Sequence, residues 1–176
     1  AIPISLGDSH KGYRVLGTSK SYFQHFSYGK RHYLEFSEGQ AFDQVFDVVL
    51  GAEVARKLDY QLGDKVALAH GIAATSFSMH DDRPFTVVGV LAPTGTPVDQ
   101  TLHVSLQGIE AIHIDWQQGV KIPNSGLTQT DLEQLNLKPK SITAFMLGLK
   151  SKIATFHMQR TINNYVPEPV VAILPG

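Results

Sequence analysis

Short apolar segments alternate with polar turns along the chain, and their lengths and periods predict both strands and helices. β-branched and aromatic residues fill several runs that are too short for helices, and such runs are typical of buried or half-buried strands. We predict strands at residues 13–17, 46–51, 65–70, 85–91 and 102–104. The strand at 65–70 should pair with the one at 85–91 as a hairpin with a long, irregular tip.

Helical periodicity occurs in two places. Residues 52–58 carry apolar side chains on one face, and residues 151–165 repeat Ala154, Met158 and Ile162 at four-residue intervals. Apolar strands are predicted on either side of the second helix, at 141–149 and 170–174. We expect these two strands to share a sheet with the helix packed on it. A strand–helix–strand unit beside a β-rich middle predicts the α+β class.

Composition changes this picture little. The 176 residues carry a formal net charge of −1, which favours neither nucleic acid nor an anionic membrane. The absence of cysteine excludes disulfides and thiolate ligands. No apolar run approaches the roughly 20 residues that span a bilayer. The chain begins and ends in apolar segments, and this predicts that it is a piece of a longer protein.

Histidine and aspartate offer the densest candidate chemistry. His80 and Asp82 lie in the tip of the predicted hairpin, and His70 and His103 belong to neighbouring strands. Zinc could use such a set, although its spacing matches no ligand rule. The alternative is a solvated polar loop, which the sequence favours, so we predict no metal site and no cofactor.

Catalytic patterns are weak. Asp8, Ser9 and His10 are adjacent only in sequence and are interpreted as a turn, and the chain contains neither a nucleophile elbow nor a Gly-rich phosphate loop. The aromatic residues between 22 and 36 are interleaved with Lys30 and Arg31, as on some nucleic-acid surfaces. We favour inward packing of these rings instead. The sequence therefore predicts no enzyme and no nucleic-acid partner.

Two longer stretches, residues 48–68 and 83–112, carry a recognisable order of elements. A strand ending in Leu50-Gly51 leads into a short helix, and Gly63-Asp64 precedes the next strand. A strand of the pattern F-x-V-x-G-V follows at 85–90, then an acid-containing loop and a strand before a helix. In this order and spacing the chain resembles the MacB-like periplasmic core domain of ABC transporter permeases in the FtsX/LolC/MacB group.

This resemblance implies a porter-like βαβ subdomain with an inserted β-rich subdomain. The insertion would span residues 42–130, and the porter-like part would comprise 1–41 plus 131–176. Family domains usually begin with an earlier strand and helix, so we expect the porter-like part to be incomplete at its N-terminus. The loop after residue 91 would then be a structural corner and not an active site.

The function implied by the resemblance is mechanical. The domain would lie in the periplasm as part of an inner-membrane protein, with no catalytic residue of its own. Its partners would be the transmembrane helices of the same full-length chain, a cytoplasmic ATPase, and an adaptor, lipoprotein or peptide outside the membrane, in a transporter that could be a dimer. The alternative is an extracytoplasmic module that binds a small ligand or a metal through His70, His80 and Asp82. An unrecognised hydrolase is the third hypothesis.

Overall fold

Most strands of the chain belong to one large sheet in a computed structural model that describes residues 1–70, 84–117 and 137–174. Numbered along the chain, the strands are β1 (Ile2–His10), β2 (Tyr13–Thr18), β3 (Ser27–Tyr28), β4 (His32–Tyr33), β5 (Phe36–Gly39), β6 (Asp47–Leu50), β7 (Lys65–Val66), β8 (Ala69–His70), β9 (Phe85–Leu91), β10 (Thr101–Ser105) and β11 (Ala144–Met146). Nine of them form a sheet in the order β11–β1–β2–β10–β6–β9–β5, with β7 beside β9 and β8 beside β1. Among the strands that the structure describes, β3 and β4 pair only with each other.

The described part of the chain contains four α-helices. These are α1 (Ser21–His25), α2 (Ala52–Leu58), α3 (Leu106–Gln117) and α4 (Ala154–Asn163). A 3-10 helix, Pro97–Gln100, precedes β10. None of the helices described has the length and hydropathy needed to cross a membrane.

The sheet is mixed. β10 runs parallel to β2 and antiparallel to β6, and β6 in turn runs parallel to β9. A parallel pair needs a crossover connection, and α2 begins directly after β6 on the way to β9. The predicted α+β class is therefore confirmed.

Both faces of the central strands are covered. Val48 and Leu50 point into one apolar cluster with Val54 of α2, whereas Val49 between them belongs to a second cluster with Tyr22 of α1. Successive side chains of a strand point to opposite faces, so this alternation places a core on each side of the sheet. The unbroken run of β-branched residues in β6 is typical of a strand buried in this way.

The glycine of the F-x-V-x-G-V pattern has a structural reason. Gly89 of β9 lies beside the end of β5, and a Cβ atom at Gly89 would stand 2.3 Å from the carbonyl oxygen of Gln40. No side chain fits at that distance. The motif glycine therefore lets the edge strand β5 pair closely with β9.

The strand predicted at 65–70 is divided. β7 pairs antiparallel with β9, which confirms the expected hairpin, but β8 leaves it and pairs with β1. The hairpin tip lies outside the described residues. β8 finds a place beside β1 because β1 continues as far as His10, and Lys11 and Gly12 form the turn into β2. The predicted turn at residues 8–10 was therefore wrong.

The C-terminal elements are shorter than predicted. Only Ala144–Met146 of the predicted strand 141–149 is a strand, and the helix predicted at 151–165 spans Ala154–Asn163. Residues 170–174 form no strand, so the prediction that they share a sheet with 141–149 was wrong. Their hydrogen bonds go to the helix instead: the Ala172 amide donates to Asn163 Oδ1 at 2.8 Å, and Gln159 Nε2 donates to the Ala172 carbonyl at 3.3 Å.

Two compact units divide the chain. One comprises Ile2–Phe145, and the other comprises Met146–Gly176 together with Ala1. The first unit contains the buried core on both faces of the sheet, whereas no residue of α4 in the second is buried. The subdomain limits drawn at residues 42 and 131 stay a prediction.

Candidate functional site

The loop between β9 and β10 is organised by one carboxylate. Asp99 Oδ1 accepts hydrogen bonds from the Thr94 amide and hydroxyl, each at 2.8 Å, and Oδ2 accepts one from the Gly95 amide at 2.8 Å. The Thr96 side chain accepts from the Val98 amide at the start of the 3-10 helix. Because Asp99 is buried and already holds three donors, it is a structural group of the loop.

This loop also packs against the start of α2. A Cβ atom at Gly51 would lie 2.3 Å from the carbonyl oxygen of Val98 and 2.5 Å from that of Asp99. At the rim of the contact, Gln100 Nε2 donates to Glu53 at 3.1 Å. The loop is therefore a corner that joins β9, α2 and β10.

His103 lies in the core. Its side chain is 0% exposed and packs against the rings of Tyr22 and Phe23 at centroid distances of 5.3 and 5.9 Å. Nδ1 donates to the Val49 carbonyl at 3.3 Å, and Nε2 has no partner within the described part of the chain. Burial lowers the pKa of His103 to about 4, so the imidazole is neutral at physiological pH.

The structure describes two of the four residues in the metal hypothesis, His70 and His103. His80 and Asp82 lie outside the described residues. His70 belongs to β8, and β1 and β2 separate that strand from His103 on β10. Three strand spacings amount to about 14 Å, so His70 and His103 cannot share one metal ion. Within residues 1–70, 84–117 and 137–174, no group of three His, Asp or Glu side chains is placed to hold a metal.

His10 makes two polar contacts that the sequence did not reveal. Its Nδ1 lies 2.6 Å from the Ala67 carbonyl oxygen, and its Nε2 lies 2.9 Å from the Tyr60 hydroxyl. A carbonyl can only accept, so Nδ1 carries the proton and Nε2 accepts from Tyr60. Burial lowers the pKa of His10, with a smaller opposing effect of the Ala67 hydrogen bond. Spacing could not have revealed these contacts because the partners are 50 and 57 residues away.

The aromatic segment packs inward for the most part. Tyr22 and Phe23 are buried, and Phe26, Tyr28 and Phe36 pack partly buried against the same cluster. Burial raises the pKa of Tyr22 to about 12, which keeps its hydroxyl neutral. The favoured interpretation of this segment, inward packing of its aromatic rings, is confirmed.

The three buried polar groups described so far have structural roles. Asp99 and His10 direct their polar atoms at neighbouring backbone or side-chain groups, and His103 is sealed among aromatic rings. A general base must reach a substrate proton within hydrogen-bond distance. None of these three groups is open to a substrate.

This chain is similar to known protein domains. The model of one family, described as the MacB-like periplasmic core domain, matches residues 3–161. A solved domain assigned to a permease protein from Porphyromonas gingivalis is 18% identical, with a TM-score of 0.39, and the match covers 59% of this chain and 44% of that chain. The extracellular domain of the noncanonic ABC-type transporter YknZ from Gram-positive bacteria is 14% identical, with a TM-score of 0.37 and coverages of 68% and 58%. This chain thus spans less than two thirds of either solved chain, and no curated protein matches it.

Proposed function

Because the chain belongs to the family of MacB-like periplasmic core domains, we propose that it is the extracytoplasmic domain of an ABC transporter permease and couples ATP hydrolysis in the cytoplasm to movement outside the membrane. The family match over residues 3–161 carries this proposal. What moves would be a transported substrate or a partner such as an adaptor, a lipoprotein or a peptide. The transmembrane helices of the full-length permease would connect the domain to its ATPase, and two permease copies would make the transporter a dimer.

The structure supports a mechanical role through its stiffness. The strands β6 and β10 at the centre of the sheet have both faces covered, and the corner at Asp99 fixes the connection between β9 and β10. A close-packed sheet of this kind moves as one body and transmits a displacement instead of absorbing it. Coupling of this type needs no reactive side chain.

The test is a distance measurement in the full-length permease. The chain has no cysteine, so a Lys57→Cys substitution on the outer face of α2 gives the domain a single labelling position. A second spin label would be placed in a transmembrane helix of the same permease, reconstituted in lipid nanodiscs with its ATPase. We expect the distance distribution between the labels to differ between the nucleotide-free and the ATP-trapped states.

The control is an ATPase variant that cannot bind ATP, which should keep the nucleotide-free distribution under all conditions. A distribution that stays the same in every nucleotide state, while the ATPase hydrolyses ATP, would contradict the proposed coupling. A domain that only bound a ligand, without coupling to the ATPase, would show no dependence of the distance on the nucleotide state.

A further inference from the structure

A small cavity opens in the first unit between β1, α3 and residues 139–143. Its volume is about 230 Å³, and its walls include Ser5, Leu6, Ile109, Glu110, Ser141 and Ile142. The wall formed by residues 141–143 is fixed to β1, because the Thr143 amide donates to the Ile4 carbonyl and the Leu6 amide donates to Thr143 Oγ1, both at 2.9 Å. The cavity is smaller than the roughly 300–1,000 Å³ of sites for drug-sized molecules. It suits a single side chain.

Glu110 is the charged group of the cavity. The residue is 9% exposed, and its ion-pair partner among the described residues is Lys140, with Nζ 4.0 Å from Oε1. That distance is too long for a hydrogen bond, and the Lys140 side chain is itself largely in solvent. A carboxylate in the wall of a narrow cavity attracts a positively charged hydrogen-bond donor. The cavity beside Glu110 leaves room for such a donor.

The remaining walls of the cavity fit the methylene chain that carries an ammonium group. Leu6 and Ile142 are exposed apolar side chains at the cavity, and Ile109 adds a buried apolar surface. A chain of methylene groups is well accommodated by such walls, as lysine stems are on other protein surfaces. The hydroxyl groups of Ser5 and Ser141 can accept the ammonium hydrogens that the carboxylate leaves unpaired.

We propose that this cavity binds a lysine side chain of a peptide or protein partner, with Glu110 as the counter-ion. An anion is excluded by the carboxylate. One carboxylate with two separate hydroxyl groups offers acceptors for the three donors of a lysine ammonium group. The inference deepens the proposed function because it states the chemistry of the extracytoplasmic partner. Only the location of that partner, outside the membrane, rests on the proposed function.

The test uses the 176-residue chain in solution and a defined probe, N-acetyl-lysine N-methylamide. We expect saturable shifts of the amide resonances of Leu6, Glu110 and Thr143 in ¹H–¹⁵N spectra. The norleucine analogue, which lacks the ammonium group, should bind at least tenfold more weakly. The Glu110→Gln variant should also lose at least tenfold in affinity for the lysine probe, whereas the exposed-carboxylate control Glu38→Gln should bind as the wild type does.

A second variant keeps the test decisive if Glu110→Gln does not fold. Ile142→Arg places a cation and added bulk at an exposed wall position, and it should abolish the saturable shifts without disturbing the core. Equal affinity of the lysine and norleucine probes, or wild-type affinity of a folded Glu110→Gln or Ile142→Arg chain, would overturn the proposal. The measurement needs neither membrane nor ATPase, so its failure is separate from a failure of the proposed function.

Discussion

The Tyr60 hydroxyl donates a hydrogen bond to Nε2 of His10 across 2.9 Å, and this contact joins the end of β1 to the segment after α2. The opposite ring nitrogen of His10 is bonded to the Ala67 carbonyl, so both nitrogens are satisfied. Lys11 adds its ammonium group 5.1 Å above the Tyr60 ring. The contact lies at the end of β1 with which β8 pairs.

Removing the Tyr60 hydroxyl should therefore destabilise the fold. In the Tyr60→Phe variant, His10 Nε2 loses its donor in a partly buried place, which costs about 1–2 kcal/mol of unfolding free energy. Urea denaturation monitored by circular dichroism would measure the loss. Tyr33→Phe is the matched control, since Tyr33 is 57% exposed and should change stability by less than about 0.5 kcal/mol. Equal stability of wild type and Tyr60→Phe would contradict the role of this contact.

The burial of His103 predicts a loss of stability in acid. Its pKa is about 4 in the folded chain and about 6.5 in the unfolded chain, so the unfolded state binds the proton first as the pH falls. The stabilisation is complete above pH 6.5 and is lost as the pH falls from 6.5 towards 4. The loss from this residue is about 3 kcal/mol at most.

Unfolding free energies measured between pH 7 and pH 4 would test this. The His103→Gln variant keeps a donor for the Val49 carbonyl and cannot titrate, so its stability should depend less steeply on pH. A residual slope is expected from His10, whose pKa is also lowered by burial. An unchanged slope in His103→Gln would refute the assignment.

Asp99 should be more important for stability than an exposed aspartate. Asp99→Ala leaves the Thr94 amide, the Thr94 hydroxyl and the Gly95 amide without their acceptor. Hydrogen bonds to a charged group contribute about 1.5–3 kcal/mol each and are not additive, so we expect a loss of about 3 kcal/mol. Asp64→Ala is the control because Asp64 accepts one exposed bond from the Gln61 amide, and it should cost less than about 1 kcal/mol. Similar losses in the two variants would show that the loop is not fixed by Asp99.

Gly51 should not tolerate a side chain. In Gly51→Ala the new methyl group would meet the backbone carbonyls of Val98 and Asp99, which cannot move without displacing the whole corner. We expect a loss of about 3 kcal/mol or more in thermal or urea unfolding. Gly148→Ala is the matched control, since a Cβ atom at Gly148 meets nothing within 4 Å. A Gly51→Ala chain as stable as the Gly148→Ala chain would contradict the close approach.

Local signals in the sequence predicted the elements that depend on local chemistry. β9 has the predicted bounds Phe85–Leu91 and α2 the predicted bounds Ala52–Leu58, because their periods and flanking turns are unambiguous. The order of those elements also predicted the family, which the match over residues 3–161 confirms. The resemblance to the family implied a corner after β9, but Asp99, the residue that holds it, was not predicted.

Elements that depend on distant partners were predicted less well. The run at 170–174 is apolar enough for a strand, yet Val171 and Ile173 are exposed and the segment bonds to α4 instead of a sheet. Periodicity reports which face could be buried and not whether a partner strand is present. The burial of His103 was missed for the same reason, since only the folded sheet brings Tyr22 and Phe23 against it.

The remaining question about metal can be answered by zinc titration. A zinc site needs about four ligands, and this chain has no cysteine to supply any of them. His103 is enclosed in the core, and its strand is too far from His70 for a shared ion. Of the four candidate ligands of the metal hypothesis, at most His70, His80 and Asp82 are therefore left. We therefore expect weak zinc binding of equal strength by the wild type and by a His80→Ala, Asp82→Ala double variant in calorimetry. His25→Ala and His157→Ala, both exposed histidines, serve as a control for non-specific binding. Tight binding by the wild type that the double variant loses would refute this prediction and favour the metal-binding alternative.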